Sequence, residues 1–433
     1  MNSHRKVIGI GLLGLGVVGG GVLKAINGKS ALLAQEIGLS VSVIKVLVRD
    51  LNKDRHLEVA KSLLTTDPTE VIGSQDVDVV IEVMGGEQPA FDYISKAIQM
   101  GKSVITANKE VMAKHGHELL GMAMERGVHL LFEASVGGGI PIIGPLTKDL
   151  AANNIEATRA IINGTTNYIL TKMSYEDMEF GDALREAQAL GYAEADPASD
   201  IEGTDAAYKL AILASLAFRA RVKDGDVYRE GISSITAKDI RYADELGYAV
   251  KLMAIAKRRG DSIEARVHPV LVPKDTPLGK VDGVFNAVEV ECDMVGKVLF
   301  HGRGAGEFPT TSAIIGDLIG AGRSIADNLN ASRPKYIEDS IKICPISDLS
   351  TRYYIRVTVA DQAGVLAQLS KILGELQISI ASVMQKESDP ALQTAELVIT
   401  THISRERDVQ QAMQGLEELH LVKQIDNVLR VEE

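Results

Sequence analysis

Short apolar runs and longer stretches with helical spacing alternate along the first 135 residues of this 433-residue chain. The apolar runs predict buried strands, and they read KVIGIGLLG, VSVIKVLVRD, VDVVIEVMGG, SVITANK and VHLLFEASV. The stretches between them predict helices, among them GVLKAINGKSALLAQEIG, PAFDYISKAIQMG and EVMAKHGHELLGMAMERG. Alternating strands and helices are typical of a parallel, doubly wound sheet, in which ligands bind at the carboxyl ends of the strands.

The alternation weakens after about residue 150, and a different pattern begins near residue 350. In the middle of the chain, ATRAIINGTTNYILTKM predicts a strand, a polar turn and a helix, while DALREAQAL and DAAYKLAILASLAF predict two further helices. The last part predicts strand, helix, strand, strand, helix and strand, which is a ferredoxin-like order.

A glycine-rich turn follows the first predicted strand. Gly14, Gly16 and Gly19 fit G-x-G-x-x-G, with Val17 and Val18 between the second and third glycines. The first glycine permits a tight turn, the second lets backbone N–H groups approach a pyrophosphate, and the third lets the helix pack closely on the strand. Because a strand precedes the motif and a helix follows it, we predict a dinucleotide site. An α/β domain without a cofactor stays the alternative.

The end of the second predicted strand bears on the choice of dinucleotide. An acid at this place usually binds the ribose hydroxyls of NAD, while an arginine suits the 2′-phosphate of NADP. Here Arg49 is followed by Asp50, so the pair leaves both NADP and NAD open. A solvated arginine at a strand end is an equally good interpretation.

Composition excludes several other classes of protein. The formal net charge of −12 argues against nucleic acid as the main partner. Cys292 and Cys344 lie far apart without the spacing of a metal site, which is typical of reduced thiols in a cytoplasmic protein. The apolar start is too rich in glycine for a secretory leader, and no other stretch is long and apolar enough for a membrane span.

An acid-rich segment precedes a lysine just where the chain turns apolar. The acids are Glu194, Asp196, Asp200, Glu202 and Asp205, and the lysine is Lys209. Asp205 and Lys209 are spaced i, i+4, so they share one face of the predicted helix. The pair is either an exposed ion pair or part of a site for a small, polar, cationic molecule.

Six segments together resemble homoserine dehydrogenase over nearly the whole chain. They read GLGVVG, TANKE, EASVGGGIP, NGTTNYIL, LGYAEADPASDIEGTDAAYKLAIL and GRGAGEFPTTSAIIGDL. The resemblance implies reduction of aspartate 4-semialdehyde to homoserine with NADPH or NADH. It also implies a homodimer or homotetramer, with much of the contact supplied by the second domain.

The same resemblance implies roles for single residues. Lys209 matches the catalytic lysine of the family, and Lys109 in TANKE matches its second active-site lysine. Glu194 matches an acid that holds the substrate, Asp200 an acid near the substrate ammonium, and Asp205 the carboxylate that orients the lysine.

Two further sites are implied in the same way. Gly306 matches a glycine that returns to touch the cofactor. EASVGGGIP resembles a sodium-binding loop, with Glu133 and the backbone carbonyls of Val136, Gly138 and Ile140 around the ion. A glycine-rich turn without an ion stays the alternative, since carbonyl ligands leave almost no side-chain pattern.

The tail resembles an ACT domain, especially in VADQAGVLAQLSKILGE. Such domains usually bind amino acids, and homoserine dehydrogenases with this tail are commonly inhibited by threonine. The turn from Asp361 to Gly364 lies at a predicted helix N-terminus, where the charged end of an effector could bind. A dimerisation domain without a ligand is the alternative.

The sequence therefore predicts an α/β protein of three domains. A Rossmann dinucleotide-binding domain occupies 1–135 and is closed by 300–325, an α+β substrate-binding and dimerisation domain occupies 136–325, and a linker over 326–350 leads to a ferredoxin-like ACT domain over 351–433. Two other functions stay open. The first is another oxidoreductase acting on an amino-acid semialdehyde. If it oxidised aldehydes it would need a nucleophilic cysteine, and the first half of the chain has none. The second is a nucleotide and amino-acid sensor without turnover.

Overall fold

The structure is a computed structural model that describes residues 7–55, 57–329 and 341–432. It forms two compact units. The first takes in the described residues of Met1–Glu156, Tyr208–Gly225 and Asn286–Ser340, and the second those of Ala157–Ala207, Asp226–Phe285 and Ile341–Glu433. Residues 330–340 of the predicted linker lie outside the described residues.

The helices are α1 (Val17–Gly28), α2 (Ser30–Ile37), α3 (Pro68–Ile72), α4 (Ala90–Gln99), α5 (Lys109–Arg126), α6 (Ile143–Thr147), α7 (Gly164–Glu176), α8 (Phe180–Ala189), α9 (Ala198–Ile201), α10 (Thr204–Phe218), α11 (Ala237–Glu245), α12 (Glu307–Ala326), α13 (Val365–Glu375) and α14 (Glu406–Glu417). Within the described ranges, no helix is both long enough and apolar enough to cross a membrane.

The strands are β1 (Val7–Leu13), β2 (Ser40–Leu47), β3 (Leu64–Thr65), β4 (Val79–Glu82), β5 (Ser103–Thr106), β6 (Leu130–Leu131), β7 (Ile155–Ile161), β8 (Tyr228–Arg229), β9 (Tyr248–Arg259), β10 (Ser262–Pro273), β11 (Phe285–Cys292), β12 (Gly296–Arg303), β13 (Lys342–Ile343), β14 (Ser350–Ala360), β15 (Ile380–Asp389), β16 (Thr394–Thr401), β17 (Ser404–Arg405) and β18 (Val422–Val431).

The first unit contains the predicted doubly wound sheet. Its strand order is β3-β2-β1-β4-β5-β6, and all pairings are parallel. Ile8, Ile10 and Leu12 of β1 are fully buried, and they pack in one core with Ile314 and Leu318 of α12. The Rossmann prediction is therefore confirmed, with a late helix completing the core.

The helix predicted after the glycine-rich turn is two helices. α1 ends at Gly28, and Lys29 leaves the helical region with φ −117° and ψ 22° before α2 begins. Glycine is a poor helix former, so the break falls where propensity is weakest. It turns α2 so that Ile37 packs against Gly322, where an added Cβ would lie 2.9 Å from the isoleucine.

In the second unit the tail shares a sheet with the middle of the chain. The strands run in the order β7-β9-β10-β18-β14-β16-β15. β10 pairs antiparallel with β9 and parallel with β18, where Val270 lies opposite Arg430. The strand and helix order predicted for the tail is confirmed, but its last strand also continues the sheet of the preceding domain.

A buried carboxylate ties this junction together. Glu432, just after β18, is 5% exposed and accepts hydrogen bonds from Arg159 at 2.8 Å, from Arg266 at 3.1 Å and from Lys257. Burial alone would raise the pKa of Glu432, but Arg266 and Lys257 outweigh it and lower the pKa to about 2. The end of the chain is therefore a counter-ion for three cations of β7, β9 and β10.

A second buried ionic cluster connects the tail to α11. Arg356 of β14 donates to Asp239 at 2.8 Å and to Glu396 at 2.9 Å. Asn427 of β18 donates to Asp239 at 2.9 Å, and Asp239 is fully buried. Breaking such a pair leaves an uncompensated buried charge, so these contacts hold the tail strands in one arrangement.

We predict that Glu432→Gln lowers the free energy of unfolding by about 3–5 kcal/mol at pH 7, because three buried cations lose their counter-ion. The depressed pKa means that Glu432 stabilises the fold above its unfolded pKa and that this stabilisation is lost as pH falls towards about 2. The difference between wild type and variant should therefore shrink below about pH 4.3, the unperturbed value for glutamate.

Urea denaturation followed by circular dichroism at pH 7 and pH 3 measures this. Glu375→Gln is the matched control, since Glu375 lies on an exposed face of α13 beside Lys371. Equal urea midpoints for Glu432→Gln and the control at pH 7 would contradict the role of Glu432.

Candidate active site

The turn between β1 and α1 brings backbone segments close together. Gly14 has φ +102°, and a Cβ atom there would lie 2.9 Å from the carbonyl oxygen of Val83. A Cβ on Gly19 would lie 2.3 Å from the carbonyl oxygen of Gly14, so α1 can sit this close to β1 only without that side chain. Gly16 is exposed, with open space where its Cβ would stand. A pyrophosphate can therefore reach the backbone N–H groups at the start of α1.

The other residues predicted for the cofactor in this half lie around the same turn. Val17 is the first residue of α1 and is 71% exposed, and Val18 is partly buried. Arg49 follows the carboxyl end of β2 and is exposed. Asp50 accepts a hydrogen bond from the backbone N–H of Asn52 at 2.8 Å, so its carboxylate stabilises its own turn.

A buried carboxyl ties together the loops that follow β4 and β5. Glu82 is fully buried and accepts hydrogen bonds from the Thr106 hydroxyl at 2.5 Å and from the backbone N–H of Met84 at 2.7 Å. Burial raises the pKa of Glu82. Asn108 caps α5 and donates to the carbonyl oxygen of Gly86 at 2.7 Å. These contacts fix the start of α5, whose first residue is Lys109.

The late glycine segment packs beside the helix that begins at the cofactor turn. Gly306 is the N-cap of α12 and has φ +123°. A Cβ on Gly21 of α1 would lie 2.4 Å from the Thr311 hydroxyl oxygen, and Lys24 of α1 donates to Glu307 at 2.9 Å. Gly306 therefore stands beside α1, and its contact with the cofactor stays a prediction.

The loop predicted to bind sodium is a buried turn. Gly138 has φ +57°, and a Cβ there would lie 2.3 Å from the carbonyl oxygen of Gly304. Among the described residues, no hydrogen-bond donor reaches the carbonyl oxygens of Val136, Gly138 or Ile140. Cation binding by these three oxygens stays a prediction.

The carboxylate of Glu133 accepts hydrogen bonds from the backbone at the start of α6. It accepts hydrogen bonds from the backbone N–H groups of Ile142, Ile143 and Gly144 at 2.6, 2.8 and 2.7 Å. The side chain therefore binds the start of α6, and a contact of Glu133 with a cation stays a prediction.

In the second unit, one asparagine holds two of the predicted acids. The Asn163 side-chain nitrogen donates to Asp200 at 2.7 Å and to Asp205 at 2.9 Å. Asp205 is 2% exposed, and Asp200 is partly buried on the short helix α9. Glu194 is exposed in the loop before α9, where its backbone carbonyl accepts from Gln188 at 3.1 Å. Pro197 directly precedes α9, because proline suits a helix start.

The predicted lysine lies on α10, which begins at Thr204. Asp205 stands in the first turn of α10, and Lys209 follows one turn later and is partly buried. The confirmed helix thus places this carboxylate and this amine on one face, as the i, i+4 spacing requires.

Comparison with known proteins decides the family. The profile described as homoserine dehydrogenase matches residues 141–319, the homoserine dehydrogenase NAD binding domain matches 14–133, and the ACT domain matches 353–421. A homoserine dehydrogenase of Bacillus subtilis is 42% identical over 430 residues, covering 99% of both chains. One of Neisseria gonorrhoeae is 40% identical over 434 residues, again with 99% of both chains covered. The chain belongs to the homoserine dehydrogenase family.

Solved structures agree with this assignment. A homoserine dehydrogenase from Thiobacillus denitrificans superposes with a TM-score of 0.93 at 41% identity, covering 99% of each chain. A hyperthermophilic archaeal homoserine dehydrogenase in complex with NADPH superposes with a TM-score of 0.63 at 30% identity, covering 73% of this chain and 97% of that one. The chain is therefore an NAD(P)-dependent oxidoreductase acting on a CH–OH group, and the two alternative functions are not supported.

Some residues that shape this homoserine dehydrogenase site escape sequence reasoning. Glu82 stands in the predicted strand VDVVIEVMGG, and nothing in that apolar pattern indicates that its carboxyl accepts a hydrogen bond from Thr106. The partners of the polar turn from Asn163 to Asn167 are not visible in the sequence either. Its two asparagines bind Asp200, Asp205 and the carbonyl oxygens of Val281, Gly283 and Phe285.

A further carboxyl lies behind the glycine loop. Asp317 of α12 accepts a hydrogen bond from the backbone N–H of Glu133 at 2.9 Å. Burial raises the pKa of Asp317 to about 7, and the nearby charge of Glu133 adds to the shift.

We predict that Asp317→Asn stabilises the protein, and that it does so more strongly at pH 8 than at pH 5. A raised pKa means that the folded state holds the proton more tightly, so stability falls as pH rises from about 4 to about 7. The amide removes this loss, which amounts to a few kcal/mol at most, since one pKa unit corresponds to about 1.4 kcal/mol.

Thermal denaturation between pH 5 and pH 8 measures the effect, with the exposed Asp149→Asn as control. If the melting temperatures of Asp317→Asn and wild type stay parallel across this range, the Asp317 carboxyl does not titrate there.

Proposed function

We propose that this chain reduces aspartate 4-semialdehyde to homoserine in the cytoplasm, with Lys209 as the group that handles the substrate oxygen. The observation that carries the proposal is the arrangement around α10. Two acids are held together by Asn163, and Lys209 follows one turn after the second of them. Substrate and product each carry an ammonium and a carboxylate, so acids beside the reacting group match the cationic end of the molecule.

The substrate ammonium would bind to Glu194 and Asp200. Glu194 is exposed and can turn towards an incoming molecule, while Asp200 is already positioned by Asn163 at 2.7 Å. Asp205 is buried one turn before Lys209 and is suited to orient the lysine rather than to touch the substrate.

The bound nicotinamide cofactor supplies the hydride. As negative charge develops on the aldehyde oxygen, the Lys209 ammonium stabilises it and donates a proton. In the oxidation of homoserine, the neutral amine accepts the hydroxyl proton. Lys109, fixed at the start of α5 by the Asn108 cap, is the second lysine of the site.

Two observations support NADPH over NADH. Arg49 is exposed at the carboxyl end of β2, where a 2′-phosphate would lie. The Asp50 carboxylate, which would otherwise bind ribose hydroxyls, stabilises its own turn. The archaeal relative in complex with NADPH is consistent with this preference.

A sodium ion would be held by the glycine loop. Val136, Gly138 and Ile140 offer carbonyl oxygens that no described donor reaches, and Glu133 would contribute its main-chain oxygen. Such an ion would fix the turn that packs against Gly304.

The tail would bind threonine as an inhibitor. A cavity of about 350 Å³ lies at the turn between β14 and α13, and polar groups of Asp361, Gln362 and Gln385 line it beside apolar side chains. This volume falls within the range of small-molecule sites, roughly 300–1,000 Å³. Gly364 has φ +91° and caps α13 without a side chain, which leaves the helix N–H groups open to a carboxylate. Asp361 would receive the ammonium.

The chain would act as a homodimer or homotetramer. Met294 is 66% exposed and Val295 is 53% exposed at the turn between β11 and β12. We infer that a second copy would cover this apolar pair.

We predict that Lys209→Met folds normally but lowers kcat by at least about 100-fold, because the thioether side chain neither stabilises the alkoxide nor transfers a proton. NADPH oxidation with aspartate semialdehyde, followed by absorbance, gives the rate, and circular dichroism checks the fold. Lys371→Met on the exposed face of α13 is the matched control. A Lys209→Met enzyme with near-normal kcat would refute this site.

We predict that Asp361→Asn raises the threonine concentration for half inhibition about tenfold, since a hydrogen bond to a charged group contributes about that much. Its uninhibited kcat should stay within about twofold of wild type. Inhibition curves at fixed substrate concentration measure this, with the exposed Glu417→Gln of α14 as control. Unchanged threonine sensitivity would remove Asp361 from the effector site.

A further inference from the structure

We propose that Asn163 is a positioning residue of the active site, which sets the spacing and direction of the Asp200 and Asp205 carboxylates. The proposal rests on the function proposed above for these two acids. It adds to that site a residue from the polar turn before α7, more than thirty positions away in sequence.

The Asn163 side chain uses all of its hydrogen-bonding capacity. Its nitrogen donates to Asp200 at 2.7 Å and to Asp205 at 2.9 Å. Its oxygen accepts from the Thr166 backbone N–H at 2.9 Å and from the Thr166 hydroxyl at 3.0 Å. An amide has two donors and two acceptor positions, so no capacity remains for a substrate. The side chain is 4% exposed, which also places it behind the acids rather than in the site.

The neighbours determine which way the amide points. A turn of 180° would aim its oxygen at two carboxylates and its NH₂ group at the Thr166 N–H, and both contacts would be repulsive. The nitrogen therefore faces the acids. The nitrogen contacts two charged groups, Asp200 of α9 and Asp205 of α10.

The backbone between the two acids is also fixed. Gly203, in the turn from α9 to α10, has φ +80°. The Ile201 carbonyl oxygen accepts from the Ile232 N–H at 2.8 Å, and a Cβ on Gly231 would lie 2.4 Å from that oxygen. The turn thus fixes the backbone positions of the two acids, and the Asn163 amide fixes the positions of their carboxylates.

The Asn163 amide reduces the electrostatic repulsion between the two acids. Two carboxylates within 2.9 Å of one nitrogen repel each other, and they would turn apart if nothing stood between them. Two N–H bonds directed at the pair offset that repulsion. Asp205 can then orient Lys209 while Asp200 faces the substrate ammonium, each from a defined position.

Asn163 also caps α7, so the test must separate capping from positioning. Asn163→Ser does this, because serine is as good an N-cap as asparagine but has no NH₂ group to join two carboxylates. We expect this variant to keep its helix cap and its fold at the assay temperature, with a melting temperature somewhat below wild type because the buried Asp205 loses a donor. Its kcat/KM for homoserine should fall about tenfold or more, while its KM for NADP⁺ stays within about twofold.

Asn163→Asp adds a readout that a structural role would not move. A third carboxyl beside the pair must bind a proton, and a protonated carboxyl can still donate to one of the two acids. Relative to wild type, kcat/KM of this variant should therefore rise as pH falls from about 9 to about 6. Asn328→Asp, an exposed change of equal charge after α12, is the control and should follow wild type at every pH.

Measuring Lys209→Met in parallel distinguishes a failure of the Asn163 role from a failure of the proposed active site. If Lys209→Met is inactive and Asn163→Ser keeps kcat/KM within about twofold of wild type, only the role of Asn163 is refuted. A pH-independent loss in Asn163→Asp, with KM for NADP⁺ changed equally, would make Asn163 structural and also refute it. An active Lys209→Met would refute the site and the Asn163 proposal together.

Discussion

A charged group removed from water must be given hydrogen bonds and opposite charge inside the protein, and the second unit depends on this constraint throughout. Glu432 neutralises three cations, Arg356 is surrounded by Asp239 and Glu396, and Asn163 joins two carboxylates. Because removing one partner leaves the others stranded, each cluster tolerates only one arrangement. The same requirement therefore holds the tail in place and defines the acid pair near α10.

The first unit depends instead on close backbone approach. Gly14, Gly19 and Gly138 each bring a carbonyl oxygen within 3 Å of where a Cβ would stand. Only glycine tolerates these close contacts, so the conformation of the cofactor turn can be inferred from a short stretch of sequence. For that reason the Rossmann fold, its glycine motif and the helix carrying Lys209 could all be predicted from short stretches of sequence.

What could not be predicted depends on contacts between distant positions. Strand periodicity says that β18 is a strand but not that it pairs with β10, because pairing is decided by the partner's register. Asn163 reads as a polar turn residue, and only the folded chain shows that its amide meets acids of α9 and α10. The break at Lys29 was missed because helix propensity alone carries no information on how α2 must turn to pack on Gly322.

The shared sheet of the second unit constrains how an effector could act. A ligand at Asp361 changes turnover only if it binds one conformational state better than another. Separating the tail from β10 would strand the cations around Glu432, at a cost of several kcal/mol that exceeds typical coupling energies of about 1–3 kcal/mol. Release of the tail from β10 is therefore too costly to serve as the regulatory motion. An effector bound there would have to act with the sheet intact, through shifts of the strands and turns that the sheet carries, including those that support Asp200 and Asp205.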